Sequence, residues 1–237
     1  MSCAMRGPSP LVALEVSAQG TVTVLGHDAA LDEVFVLAIH GETGNQLWMR
    51  AIAQIGVTPM ALALNAATGR VAAVHRFEAF QGDVISILDV GTGIVLHQVP
   101  LPGGGSEPAV TTDIAFSPDG ARVYALLHQM LSGDASQFLT VAVDLEPSLD
   151  YAWQRPFVNG YTSGAVLVPL GHSTARALAL SPDGSQLVVT GMTQHGCNED
   201  VSPAIGETRM IAAAYDASSG APAVDVRTAG RGRIVRR

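Results

Sequence analysis

Lysine is missing altogether: all thirteen basic residues of the chain are arginine. That absence removes Schiff-base chemistry and a phosphate loop of the Walker type, since each needs a primary amine. Charge is sparse too, at 14% of residues. Cysteine is limited to Cys3 and Cys197, which do not make a disulfide framework. No apolar run approaches the roughly 18 residues of a membrane span. The apolar stretch in the opening MSCAMRGPSPLVALEV is too short for a signal-peptide core, so as written the chain reads as cytoplasmic, with no membrane partner. The net charge is −8, although five of the thirteen arginines fall in the last eleven residues, RTAGRGRIVRR. The body is therefore more acidic than the total, which argues against nucleic acid or an anionic surface as partner.

What the chain does have is short aliphatic runs punctuated by turns. With 237 residues, 48% of them hydrophobic, it can bury roughly 70–75% of its unfolded surface and needs no staples. The runs recur. TTDIAFSPDGARVYALL at 111–127 is echoed by TARALALSPDGSQLVVTG at 174–191, and two looser copies precede them. Their turn glycines are Gly20, Gly69, Gly120 and Gly184, at intervals of 49, 51 and 64. A second turn follows each first one, at Gly44, Gly93, Ser148 and Gly220. Asp89, Asp144 and Asp216 stand four residues before the last three of these, and His40 takes that place in the first copy.

Apolar, β-branched runs of five to eight residues read as strands, and Pro-Asp-Gly or Thr-Gly between them as hairpin turns. Proline presets φ, Asp caps the turn, and Gly takes the positive φ that returns the chain. Each unit is a four-stranded antiparallel meander of about fifty residues that cannot bury both faces alone. Stacking such units around an axis gives an all-β β-propeller with four recognisable four-stranded blades; a β-sandwich is the alternative. The blades are expected at about 11–53, 59–101, 112–157 and 176–229, within a propeller domain 11–229 flanked by an N-terminal tail 1–10 and a basic C-terminal tail 230–237. A small ring, a ring completed by a homodimer and a partial propeller remain open.

DIAFSPDGARVYAL and RALALSPDGSQLVVTG resemble the repeats of YVTN and lactonase-type propellers, which share features with WD40-like ones. VFVLAIHGETGNQLW is similar to the unit of PQQ-binding propellers. The resemblance covers about 11–229 and implies the fold; the activities it implies range from lactone hydrolysis to scaffolding. Lactonase-type propellers commonly close with seven blades, whereas this chain supplies four.

In a meander, the A–B and C–D turns lie at one end of each sheet, and the B–C and D–A connections at the other. The first set is short and stereotyped. The second varies, and function usually rides on variable loops held by a rigid scaffold. The long connections belong to blades three and four: 101–113, 128–137, 159–176 and 191–209. They carry Glu107, Asp134, His172, Arg176, His195, Glu199 and Asp200.

His172 and Arg176 enter the innermost strand of blade four, where lactonase-like propellers often carry a basic residue. His172 would serve as general base on a water, with Arg176 on the oxyanion of an opened ester and Glu107 orienting the imidazole. In HGCNED, His195 joins the catalytic candidates. No spacing there matches a zinc pattern, and Asp134, Glu199 and Asp200 would suit calcium. Trp48 and Trp153, in the fourth strands of blades one and three, read as packing anchors. Two functions follow: a scaffold binding a protein or small ligand on the loops of blades three and four, or a calcium-assisted hydrolase of lactones or related esters.

Overall fold

The computed structural model of the chain describes residues 11–77, 82–103, 109–131, 136–147, 149–157, 160–163, 166–169, 172–194, 208–229 and 233–235. All regular structure among them is β. The chain divides into two compact units, Met1–Gly104 and Gly105–Arg237.

The first unit holds two antiparallel meanders. Blade one is β1 (Leu11–Val16), β2 (Thr21–Asp28), β3 (Glu33–His40) and β4 (Gln46–Gln54); blade two is β5 (Val57–Asn65), β6 (Arg70–Phe77), β7 (Gly82–Asp89) and β8 (Val95–Pro100). Their facing sides share one core, in which Leu25, Val34, Val36, Val71, Ala73 and Leu88 are buried. Each fully buried Val, Leu or Ile contributes about 1.5–3 kcal/mol. The central strands β6 and β7 are buried on both faces, which is why VAAV reads as an unbroken apolar run and ISIL departs from one only at the buried Ser86.

The second unit repeats the plan. Blade three is β9 (Ala109–Phe116), β10 (Arg122–Met130), β11 (Ser136–Asp144) and β12 (Asp150–Phe157). A two-stranded hairpin follows, β13 (Gly160–Ser163) with β14 (Val166–Pro169). Blade four is β15 (His172–Leu180), β16 (Gln186–Gln194), β17 (Thr208–Asp216) and β18 (Pro222–Ala229), and β19 (Arg233–Val235) pairs with β18 as a fifth strand. The core between blades three and four is more aromatic than that of the first unit. Tyr124, Phe138, Trp153 and Phe157 meet Leu187, Val189, Ile211 and Tyr215, with Phe138 and Phe157 stacked at 4.4 Å.

Two details depart from the expectations above. The stretch read as a loop at 159–176 contains the β13–β14 hairpin, and the basic end contributes β19. Neither segment has the alternating apolar pattern that marks a half-buried strand. In β19 the free backbone groups at the edge of β18 recruit the extra strand through ladder bonds.

The turn glycines behave as the repeat requires. Gly20, Gly69, Gly120 and Gly184 all have φ between 63° and 78°, as do Gly44, Gly93 and Gly220 in the second turns. The two turns of each blade are tied side by side by one recurring backbone bond. Gly41, Val90, Leu145 and Ala217 donate their N–H groups to the carbonyls of Gly20, Gly69, Ala121 and Ser185, at 2.7–2.9 Å.

Candidate functional site

The turn end of the blades is chemically self-contained. Ser117 Oγ donates to Asp119 Oδ1 at 2.5 Å, and the same carboxylate oxygen accepts Ala121 N–H. Ser181, Asp183 and Ser185 repeat the arrangement. In the second turns, Asp89 accepts both the N–H and the hydroxyl of Thr92, and Asp216 accepts Ser218 and Ser219. These bonds hold Asp183 and Asp216 down to about 2, chiefly through the hydroxyls of Ser181 and Ser218 respectively. Arg122 Nε spans the two turns of blade three at 2.6 Å from Asp144, and its Nη1 reaches Ala217 O and Ser218 O in blade four. A groove of about 400 Å³ lies here, with Asp119, Arg122, Asp144 and Asp183 among its walls. All four of those side chains are already bonded within their own turns or to one another.

Trp48 and Trp153 act at the same end, each across a blade boundary inside its own unit. Trp48 Nε1 donates to Val90 O at 2.8 Å and Arg50 Nε to Gly93 O at 3.2 Å. Trp153 Nε1 donates to Ala217 O at 3.1 Å and Arg155 Nε to Gly220 O at 2.8 Å. Each indole lies against the left-handed glycine of the next blade: a Cβ on Gly93 or Gly220 would fall within 2.6 Å of a ring atom. Both tryptophans are packing anchors, and the two clamps are built alike.

The opposite end, where the B–C and D–A connections lie, carries turn-capping carboxylates together with polar groups that border a cleft or stay buried without a partner. In the first unit Asp28 Oδ1 caps the turn after β2 by accepting Ala30 and Leu31 N–H. Asp32 then takes a left-handed φ of 53°, a conformation Asp tolerates better than most residues. From there its Oδ2 accepts Gly56 N–H at 2.7 Å, its carbonyl accepts Ile55 N–H, and Oδ1 meets His27 Nε2 at 3.2 Å. The bond from Gly56, followed by that from His27, lowers the Asp32 carboxyl below its ordinary value. Ile55 is 80% exposed with φ 64°, an outlier for a β-branched residue, held by the Asp32 bond. Together these residues border a cleft of about 340 Å³ lined by Val12, His27, Asp32, Gly56, Val57, Thr58 and Pro59. A carboxylate-backed imidazole on such a cleft can orient a polar ligand or take a proton from one.

Near the same end, His75 of β6 is fully buried with neither ring nitrogen hydrogen-bonded. Burial pushes it down to about 4, partly opposed by Asp83. Asp83, 2% exposed, pairs with Arg76 at 2.8 Å.

In the second unit, Ser136 Oγ accepts Ser173 N–H at 3.0 Å and donates to Ser173 O at 3.2 Å, while His128 Nδ1 donates to the same carbonyl at 3.1 Å. Ser173 Oγ is buried without a partner. Asp113 joins β9 to β15 by accepting Leu178 N–H at 2.8 Å, and burial raises its carboxyl in spite of that bond. His128, Ser136 and Ser173 stand at the roots of the connections 128–137 and 159–176 that the sequence singles out.

Of the seven sequence candidates, His172 opens β15 opposite Gln194, and Arg176 is the bulge residue between Ala175 and Ala177, exposed on the same strand. Glu107, Asp134, His195, Glu199 and Asp200 lie outside the described residues. Among the described residues no three His, Cys, Asp or Glu side chains gather as a metal site. Sequence reasoning missed the His27–Asp32 pair because HDAALD reads as a short connector. The available signal was a His and an Asp five residues apart across one hairpin turn.

The sequence matches no family model and no curated protein. Solved structures do match the fold. The tricorn protease aligns with a TM-score of 0.50 at 11% identity, over 88% of this chain and 18% of that one. The β-propeller domain of the Trilobed protease from Pyrococcus furiosus, described as having an open velcro topology, aligns at 0.49 and 9%, over 97% and 57%. The luciferin-regenerating enzyme aligns at 0.45 and 10%, over 84% and 60%. The fold is that of a β-propeller. The chain spans between 18% and 60% of the length of these propeller-containing chains, and at such identities the likeness concerns fold alone.

Proposed function

We propose that this β-propeller is a binding scaffold that takes a protein or small ligand at the end of its sheets bearing the B–C and D–A connections, on the long loops of blades three and four. The observation that carries this reading is the contrast between the two ends. The aspartates of the turn end are engaged within their own turns. The loop end keeps the His27–Asp32 cleft in one unit, and in the other a buried polar group at the loop roots with Ser173 Oγ unpartnered. A ¹⁵N-labelled chain titrated with a panel of lactones, esters and short peptides tests it. Shifts at His128, Ser136 and Ser173 are expected, whereas shifts confined to His27 and Asp32 would move binding to blade one. Shifts confined to Gly120, Gly184 and Gly220 would place binding at the turn end and overturn the reading.

Hydrolysis of lactones or related esters is the second reading, favoured by the resemblance of the SPDG repeats to lactonase-type propellers and by the placement of His172 and Arg176 on one strand. His172 would take a proton from a water that adds to the carbonyl carbon. Arg176 would steady the oxyanion, and the leaving alkoxide would recover the proton as the acyl–oxygen bond breaks. Asp134, Glu199 and Asp200 would hold calcium, with Glu107 and His195 beside the reacting group. Lactone and p-nitrophenyl ester turnover, measured with and without chelator on the parent and on His172→Ala and His195→Ala, decides it. Chelator-sensitive turnover lost in either variant supports hydrolysis. Full activity in both rejects these residues, and no turnover in the parent rejects the reaction.

A further inference from the structure

Four backbone donors around Asp32 are already used: Gly56 N–H goes to Asp32 Oδ2, Ile55 N–H to the Asp32 carbonyl, and Ala30 and Leu31 N–H to Asp28 Oδ1. Pro59, in the cleft wall, has no N–H to give. An ionised carboxylate carries no hydrogen, so the bond between His27 Nε2 and Asp32 Oδ1 places the ring proton on Nε2. The polar side of the cleft therefore still offers acceptors: the remaining lone pairs of the Asp32 carboxylate and the lone pair on His27 Nδ1.

Charge selects among donors. Residues 11–49 hold five carboxylates and no arginine, and the bonds that lower the Asp32 carboxyl keep it ionised. Val12, Val57 and Pro59 give the cleft of about 340 Å³ an apolar side, and its volume is that of a small-molecule site. Among the described residues no third His, Cys, Asp or Glu joins His27 and Asp32 to make a metal site. Asp32 at φ 53° and Ile55 at φ 64° hold the carboxylate in place, and backbone strain of this kind gathers at ligand clamps.

The second unit shows why an acceptor is left over in the first. In register, His27 stands opposite Val34 and His128 opposite Phe138, and Asp32 and Ser136 each come two residues before those partners. The same two positions are used in both units. In the second, His128 Nδ1 and Ser136 Oγ both bond to Ser173 at the start of the following blade. In the first, Asp32 bonds to the start of the following blade at Gly56, and the ring of His27 turns to Asp32 instead. That leaves Nδ1 unused, beside a carboxylate where the second unit has a hydroxyl.

We propose that this cleft binds a primary ammonium carried on a small apolar body, its N–H groups donated to Asp32 and His27 Nδ1 and its body lying against Val12, Val57 and Pro59. It is a second site, additional to the one on the loops of blades three and four, and neither depends on the other.

Titration of the ¹⁵N-labelled full chain at pH 8 with 2-phenylethylamine tests it, beside 2-phenylethanol, methylamine and 3-phenylpropionate. The phenylethylamine saturates shifts at His27 and Gly56 with a dissociation constant below about 1 mM, within reach of so few atoms. The alcohol and methylamine bind at least about tenfold more weakly, for want of the charge and of the apolar body respectively, and the carboxylate does not bind. Asp32→Asn, which keeps the Gly56 bond, weakens phenylethylamine at least about tenfold and leaves the alcohol within about twofold. An alcohol or methylamine that matches phenylethylamine overturns the proposal, as does a carboxylate that binds, or an Asp32→Asn variant with the parent's affinity. The four ligands on the parent decide the matter even where the variant fails to fold. Phenylethylamine shifts confined to Ser136 and Ser173, or none up to about 10 mM, also overturn it and leave the reading of blades three and four standing. Lactones, esters and peptides that move no residue of the second unit would sink that reading and not this one.

Discussion

Acidification should loosen the first unit through a single side chain, His75. It is 0% exposed on β6, neither nitrogen has a hydrogen-bond partner, and its nearest aromatic neighbour is Phe77, edge-on at 5.2 Å. The charged groups beside it are Asp83 and Arg76, already paired to each other at 2.8 Å. Protonating this imidazole in the folded state places a charge in an apolar layer, so its value falls to about 4 from the ordinary 6.5. The unfolded chain takes up the proton near pH 6.5 and the folded chain does not. Stability therefore is fully present above pH 6.5 and is lost as pH falls towards 4. The interval of about 2.5 pH units, at about 1.4 kcal/mol each, amounts to about 3 kcal/mol, a large share of the 5–15 kcal/mol typical of a domain.

The assay needs a reporter confined to one unit, and the chain provides it. Trp48 lies in the first unit and Trp153 in the second, and there are no other tryptophans. In a Trp153→Phe background, the fluorescence of Trp48 during urea unfolding reads the first unit alone. Its midpoint should fall steadily between pH 6.5 and 4.5, and His75→Leu should remove that dependence while being at least as stable at pH 7.5, since it deletes an unpaired buried polar group. The aspartates held low by their turns act only below about pH 4, and the comparison of the two proteins cancels them in any case. Parallel pH profiles for parent and His75→Leu would refute the reasoning.

Three further outcomes follow from the turns and the cleft. Gly44→Ala should lower stability by about 1 kcal/mol, the backbone cost of a left-handed Ala. Gly93→Ala should cost about 3 kcal/mol, because its Cβ also displaces Trp48; equal urea midpoints for the two would contradict the clamp. Arg122→Met removes the bridge from Asp144 to Ala217 O and Ser218 O and should cost about 1–2 kcal/mol, discounted for the partial exposure of Asp144. An unchanged melting curve would contradict it. Asp32→Ala should lower stability by releasing Gly56 and His27, whereas Asp32→Asn should keep the Gly56 bond and recover most of the loss. Identical hydrogen exchange at Gly56 in both variants would count against that role for Asp32.

The parts of the structure that could be read from sequence are those decided within four or five residues. A Ser-Pro-Asp-Gly turn is closed by its own hydroxyl, carboxylate and left-handed glycine, so the string alone dictates the hairpin and, repeated, the blade. Trp48 and Trp153 were legible as anchors but their targets were not, since Val90 O lies 42 residues away and Ala217 O lies 64 away. The His27–Asp32 cleft depends on a D–A connection docking against a B–C turn, a pairing that no local pattern encodes. The β13–β14 hairpin and β19 were illegible for a related reason: their pairing is a matter of backbone ladder bonds, with no apolar alternation to announce it.

The clamp makes the deeper organisation visible. Trp48 and Arg50 recur 105 residues later as Trp153 and Arg155, each pair reaching into the blade that follows. At the same register, β8 carries His97 and Val99, and β18 carries Val224 and Val226. The alternation has a period of two blades, and the chain divides after its second blade, at Gly104. A blade whose outer strand carries Trp-x-Arg is hydrogen-bonded to its successor at both the indole and the guanidinium, in addition to the shared core. Two such blades gain stability together and lose it together. The cooperative element of this propeller is therefore the pair of blades and not the single fifty-residue repeat. Trp48→Phe should accordingly loosen blades one and two in concert, lowering amide protection in β3 and β7 by similar factors. Unequal loss, with β7 unaffected, would return the single blade to that role.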